Sequence, residues 1–285
     1  MRRNSLKFQI RISFIAFAAT LGLGTHASAQ NGTNPNFVPE IEQQQGTNDQ
    51  LKQRQLDATP AAPKVDPQEE VAYKAFYDTK SSDADARIQL GAAFVQKYPK
   101  SHYNESVYAG LTQAYYMKQN WKDFYDNGGK ALALNPNDAP VLALIGWVIP
   151  HTLNPNDPDA SQNLDKAEQY EKHAIELIGN LPKPAGMNDD QFSQMKTSLL
   201  SQAHSGLGLV YFRRGDSDDS VRELQQATQS ATAPDPTDLY VLGFGLQNLN
   251  RLPEAADAFN RCAQIPSALQ DRCKQSADSA KKQAR

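Results

Sequence analysis

The chain has 285 residues, 21% of them charged, two cysteines and a formal net charge of −3. That length accommodates one sizeable domain or an array of stacked repeats. An acidic balance argues against nucleic acid as a partner.

The first residues carry Arg2, Arg3, Lys7 and Arg11, then an apolar stretch from Ile12 to Gly24, then Ala27-Ser28-Ala29. This is the three-part layout of a secretory signal, with cleavage expected after Ala29, so residues 1–29 are read as a signal peptide. The apolar stretch is 13 residues long, whereas a membrane-spanning helix needs about 20. No integral membrane span is therefore expected in the mature form. No Cys directly follows the stretch, which excludes a lipid anchor through a processed N-terminal Cys. Loss of four positive charges and no negative one takes the net charge from −3 to −7. The expected location is periplasmic or secreted. Residues 30–66 are rich in Gln, Asn, Pro, Thr and Ala, without a buried face, and read as a disordered polar leader. Asn31-Gly32-Thr33 fits a glycosylation acceptor but is too common a pattern to argue from.

Over 67–285 apolar residues recur at helical spacing, with Gly and Pro between the periodic segments. Gln68–Asp78 and Asp83–Lys97 form an opening helix pair. Tyr108, Leu111 and Tyr115 mark the next helix, followed by one holding Phe124, Gly128 and Ala131 and closed by Pro136. Leu142, Ile145 and Gly146 open another hairpin, whose second helix holds Ala167 and Ala174 beyond a Pro, Asn and Asp-rich loop from Pro150 to Asn163. After an insertion near Gly179–Asp190, Gln191–Arg214 reads as one unusually long helix capped by Asn188 or Asp189. Ser217–Gln229 is its partner. A helix with Leu239, Leu242, Gly243 and Leu246 pairs with one holding Ala255 and Phe259, and a terminal helix caps the array.

Leu207, Gly208 and Tyr211 fall on the pattern L-G-x-x-Y, and Ala255 and Phe259 on A-x-x-x-F. In these residues the sequence resembles the tetratricopeptide-repeat (TPR) family, whose helix-turn-helix unit has a period near 34 residues. The small residues closing successive second helices are Ala131, Ala174, Ala227 and Cys262, separated by 43, 53 and 35 residues, so insertions of 9, 19 and 1 are expected. The resemblance implies an all-α solenoid of stacked hairpins with a C-terminal capping helix, about four to five repeats. Its hairpins bury apolar stripes only against one another.

The resemblance also implies a function. In that family the first helices line a concave groove, reached by side chains one and four or five positions after the aligned Gly. The frame selects Gln113, Tyr116 and Met117; Trp147; Leu209, Phe212 and Arg213; and Phe244, Gln247 and Asn248. Aromatic residues with amide and Arg companions suit recognition of a protein or peptide segment. Lys97-Tyr98-Pro99-Lys100-Ser101 looks like a linker in bacterial envelope-assembly members of the family, which implies a role there. No cofactor is implied.

No catalytic or metal-binding set emerges from the residues. His102, His151, His173 and His204 lie without partners at ligand spacing. His204-Ser205 lacks the surroundings of a nucleophile elbow and reads as helix packing. Asp216, Asp218 and Asp219 read as a helix-capping turn rather than a calcium loop. Cys262 and Cys273, 11 residues apart, form an even count in an exported chain, which favours a bridge between the last repeat helix and the terminal one. Two free thiols are the alternative. The rival functional class is an enzyme or small-ligand carrier with its site in the groove or in the insertion at 150–163.

Overall fold

The structure, a computed structural model, describes residues 66–284 except 185 and 232. The signal-like segment 1–29, the leader as far as residue 65 and the Asn31 triplet lie outside the described residues. Among those described, eleven helices and no strands occur: α1 Pro67–Tyr77, α2 Ala84–Lys97, α3 Asn104–Met117, α4 Trp121–Leu134, α5 Ala139–Thr152, α6 Ala160–Gly179, α7 Asp189–Arg214, α8 Ser217–Ser230, α9 Pro236–Asn248, α10 Leu252–Gln264 and α11 Gln270–Gln283. Consecutive helices pack as antiparallel hairpins, and α7 also lies against α5. The architecture is an all-α stack of TPR-like hairpins with α11 as its end cap.

Local chemistry sets the helix limits. Asp66, Asp83, Asn120, Asp138 and Asp235 each accept a hydrogen bond from a first-turn backbone N–H, satisfying donors that a helix start leaves unpaired. Asn188 does the same for Gln191, whose side chain answers by accepting from the Asn188 N–H, a complete capping box. At the turns between paired helices, Gln119, Gly215 and Asn250 all adopt left-handed backbone, with φ of 55°, 87° and 58°. Each stands seven residues after the frame position held by Thr112, Gly208 and Gly243.

The hairpin α5–α6 departs from this turn, and here the expected loop at 150–163 needs correction. Helix α5 runs through Pro150 to Thr152, and α6 begins at Ala160. Pro150 sits in the last turn of α5, where its missing N–H costs only one hydrogen bond. The insertion therefore lengthens helix as well as turn: α6 has 20 residues against 14 in α4. The turn itself, 153–159, is held by Asn154 donating to Asp157 and accepting from the Asn156 N–H. Likewise, the second insertion goes largely into α7, which has 26 residues.

The four hairpins from α3 to α10 are each closed by one smaller and one larger residue. A methyl group placed on Gly208 would meet Leu224 Cγ at 2.7 Å, and on Gly243 it would meet Phe259 Cδ1 at 2.6 Å. Both pairs are 16 residues apart, while Gly146 meets Glu171 at 25, the same offset plus the nine-residue insertion. In α3–α4 the sizes are exchanged: Thr112 faces Gly128, and the notch over Gly128 is filled from the next hairpin by Ile145. Leu224 and Phe259, like Phe124 and, nearer the start of the array, Phe76 and Phe94, are essentially without solvent contact.

Cys262 and Cys273 are joined, with Cα atoms 5.8 Å apart, fastening α10 to α11. Their cluster with Leu239 and Leu269 is buried. Reduction should lower the stability of the folded chain by ~2–3 kcal/mol, the chain-entropy value for so short a loop. Urea midpoints with and without reductant check this, and identical midpoints would remove the bridge as a stabilising element.

Candidate functional site: the face of the first helices

Four first helices, α3, α5, α7 and α9, are tied side by side through a chain of contacts. The Tyr116 ring of α3 meets the Trp147 ring of α5 edge-on, with centroids 6.0 Å apart. Trp147 Nε1 donates to Ser205 Oγ of α7 at 3.0 Å, and Ser205 in turn donates to Asp238 Oδ1 of α9 at 2.7 Å. All four side chains are buried. Buried polar groups must find such partners, so the relay holds three helices in register as well as in contact. Asp238 sits in the first turn of α9, where the helix end favours negative charge. Even so, burial, with Asp235 adding to it and the Ser205 bond opposing, raises its pKa well above the ordinary carboxylate range.

The residues selected by the repeat frame divide into two groups. Tyr116, Trp147 and Leu209 are buried: Tyr116 packs on Trp121, Phe124 and Trp147, and its hydroxyl pKa is raised chiefly by burial. Phe244 is half-buried against Tyr240 and Phe259. Gln113 accepts from Arg87 of α2 at 3.2 Å. The more accessible members are Met117, Phe212 and Gln247, half-buried, and Arg213 and Asn248, exposed. Asn248 donates to Ser217 at 3.2 Å. Arg213 makes no ion pair among the described residues, whereas Arg214 beside it binds Glu168 and Asp165. The face is thus less an open aromatic stripe than a packed aromatic floor beside which Arg213 and Asn248 are exposed and Met117, Phe212 and Gln247 half-buried.

One further member of this face escapes the sequence frame. His151 stands five residues after Gly146, the same offset as Met117, Arg213 and Asn248 have in their helices. The frame omits it because Pro150 reads as the start of a loop. Its ring lies on Trp147, centroids 3.9 Å apart, and Nδ1 is 2.7 Å from the Trp147 carbonyl oxygen. A carbonyl only accepts, so Nδ1 carries the proton and Nε2 is the acceptor. Burial, with Arg213 adding to it and the Trp147 bond and Asp235 opposing, takes the pKa down to about 4. The imidazole is neutral at ordinary pH.

Ser205, read from sequence as a packing residue beside His204, has that role: it is 2% exposed and both its bonds are internal. His204 turns instead to α8, with Nδ1 2.8 Å from Glu223. Among the described residues no three His, Cys, Asp or Glu side chains gather as metal ligands. No described helix is long and apolar enough to cross a membrane. A separate open recess of about 390 Å³ lies between α8, α9 and α10, lined in part by Gln225, Leu242, Asp257 and Arg261.

No protein-family model matches the sequence, and no curated protein matches it. Several solved structures are similar. One is a thermophilic TPR protein from Thermus thermophilus, at 16% identity over 74% of this chain and 98% of that one, with a TM-score of 0.46. Another is MamA, at 15% identity over 69% and 90%, with a TM-score of 0.48. A third is a tetratricopeptide repeat protein from Parabacteroides merdae, at 13% identity over 84% and 96%, with a TM-score of 0.38.

Proposed function

We propose that the chain is a non-enzymatic scaffold that takes a protein or peptide segment along the face of α3, α5, α7 and α9, in the cell envelope or outside the cell. The observation that carries the reading is the contrast within that face. Tyr116, Trp147, Ser205 and Asp238 are spent on joining the helices, while Phe212, Arg213 and Gln247 on the same helices stay at least partly accessible. A large ring, a planar guanidinium without a carboxylate partner among the described residues and an amide suit recognition of a polypeptide with mixed apolar and polar character. The finer reading, envelope assembly, draws on the signal-like N-terminus and on the Lys97–Ser101 linker.

The test compares wild-type protein with the triple variant Phe212→Ala, Arg213→Ala, Gln247→Ala in capture from envelope extract, followed by cross-linking of the captured partner to the face. None of the three side chains is fully buried, so the variant should keep its circular dichroism spectrum. It should capture the partner ~10-fold less well or worse, as loss of central hot-spot side chains does. Equal capture by both forms would place the binding surface elsewhere.

A further inference from the structure

In the hairpin α5–α6 the large closing residue is an acid. Glu171 occupies the position held by Leu224 and Phe259 in the two later hairpins, and it has no solvent exposure. Its carboxyl group lies in a niche walled by two glycines: a methyl group on Gly146 would meet Glu171 Cδ at 2.7 Å, and on Gly206 it would collide with Oε1. Neither carboxyl oxygen has a hydrogen-bond partner among the described residues.

The ionisable groups around the niche point away from it. On α6, Glu168 and Lys172 pair with each other at 2.6 Å on the outer side, joined there by Arg214 and Tyr211 of α7. On α7, His204 is engaged with Glu223 of α8. On α5, the nearest ionisable residue is His151, bonded to the Trp147 carbonyl. The carboxyl lies against Gly146 and Gly206, with the Trp147 main chain close beside Gly206. A carboxylate here would have neither a protein donor nor a cation to offset its desolvation.

We propose that Glu171 enters the fold as the neutral acid and acts as a proton-held latch at the α5–α6–α7 junction, which loosens as pH rises. Burial alone raises the Glu171 pKa well above its ordinary value. In the unfolded chain the same group ionises near its usual pKa of about 4.3. The folded state therefore binds the extra proton, and its stability is greatest below that pH and falls as pH rises toward the folded pKa. His151 acts with the opposite sign and in a lower window: its pKa is depressed to about 4, so its contribution changes only below about 6.5. Asp238, also raised, adds a second slope of the same sign as Glu171.

The latch is tested by urea unfolding of the full chain at pH 6, 7 and 8 for wild type, Glu171→Gln and Asp238→Asn. Each neutral buried acid should make the unfolding equilibrium constant rise by up to about tenfold per pH unit. Glu171→Gln should lose one such factor, while Asp238→Asn should keep the part due to Glu171. A Glu171→Gln slope parallel to wild type would overturn the proposal. Hydrogen exchange on the wild-type protein, corrected for the intrinsic rate, supplies the location. Protection should fall with pH first in 139–152, 160–179 and 189–214, with 252–283 unchanged. Loss spread evenly over all helices would overturn the junction as its site. Should Glu171→Gln fail to fold, infrared difference spectra of Asp238→Asn, which leaves Glu171 as the buried acid of the junction, decide the matter at pH 6 and 8: a neutral carboxyl band should be present at the lower pH and shrink at the higher, and its absence at both refutes the latch.

Discussion

Replacing Gly206 with alanine should destabilise the fold by ~3 kcal/mol or more, although alanine is the better helix former by ~1 kcal/mol. The added methyl group would collide with Glu171 Oε1, stand 2.8 Å from Glu171 Cδ and 3.0 Å from the Trp147 Cα atom. The Trp147 contact is with backbone, and Glu171 has little room to move aside. Trp147 is held by its bond to Ser205 and by its ring contacts with Tyr116 and His151, and Glu171 is enclosed on every side. Thermal or urea unfolding of Gly206→Ala measures the loss. The same substitution placed in a Glu171→Ala background should cost much less, because only the approach to the Trp147 Cα atom then remains, and this coupling ties the difference to the pair. A Gly206→Ala protein as stable as wild type would mean that α6 and α7 are not so close.

The second large effect is expected at Phe259. This ring fills the notch over Gly243, lies 5.2 Å from Phe244 and 5.7 Å from Tyr240, and has no solvent exposure. Phe259→Ala should cost ~3–5 kcal/mol, the range for emptying a core aromatic site. In a stack where each hairpin contacts only its neighbours, the damage should be graded along the chain. Hydrogen exchange should show α9, α10 and α11 opening first while α3–α6 retain their protection. Uniform loss of protection would show that the array folds as one indivisible unit.

Much of this arrangement is visible in the residue pattern, for identifiable reasons. The opening pair is off by one residue at its helix starts, Gln68 and Asp83 against Pro67 and Ala84, because the capping roles of Asp66 and Asp83 go unread in the pattern, whereas Asn188, read as a candidate cap, marks the start of α7. The disulfide follows from two cysteines facing each other across a short turn. Pro150 misleads because a proline in a last helical turn looks like one that ends a helix, and with it His151 drops from view. Glu171 is hidden differently. It lies among Glu168, Lys172 and His173 on a strongly amphipathic helix, so by composition it belongs to a solvated face. Only the 16-residue offset between Gly and bulky partner, with the insertion counted in, shows that it takes the place of Leu224 or Phe259. The degree to which Tyr116 and Trp147 are covered depends on how adjacent hairpins meet, a distance that no periodicity encodes.

The small-and-large pairs that close the hairpins have a consequence for assembly. Thr112 with Gly128, Gly146 with Glu171, Gly208 with Leu224 and Gly243 with Phe259 are four differently shaped keys and locks. A hairpin that strays to the wrong neighbour, within one molecule or between two, would set bulk against bulk or leave a void. The chain thereby carries its own address labels, and exchange of segments between copies, a standing hazard for molecules made of similar units, is discouraged by shape.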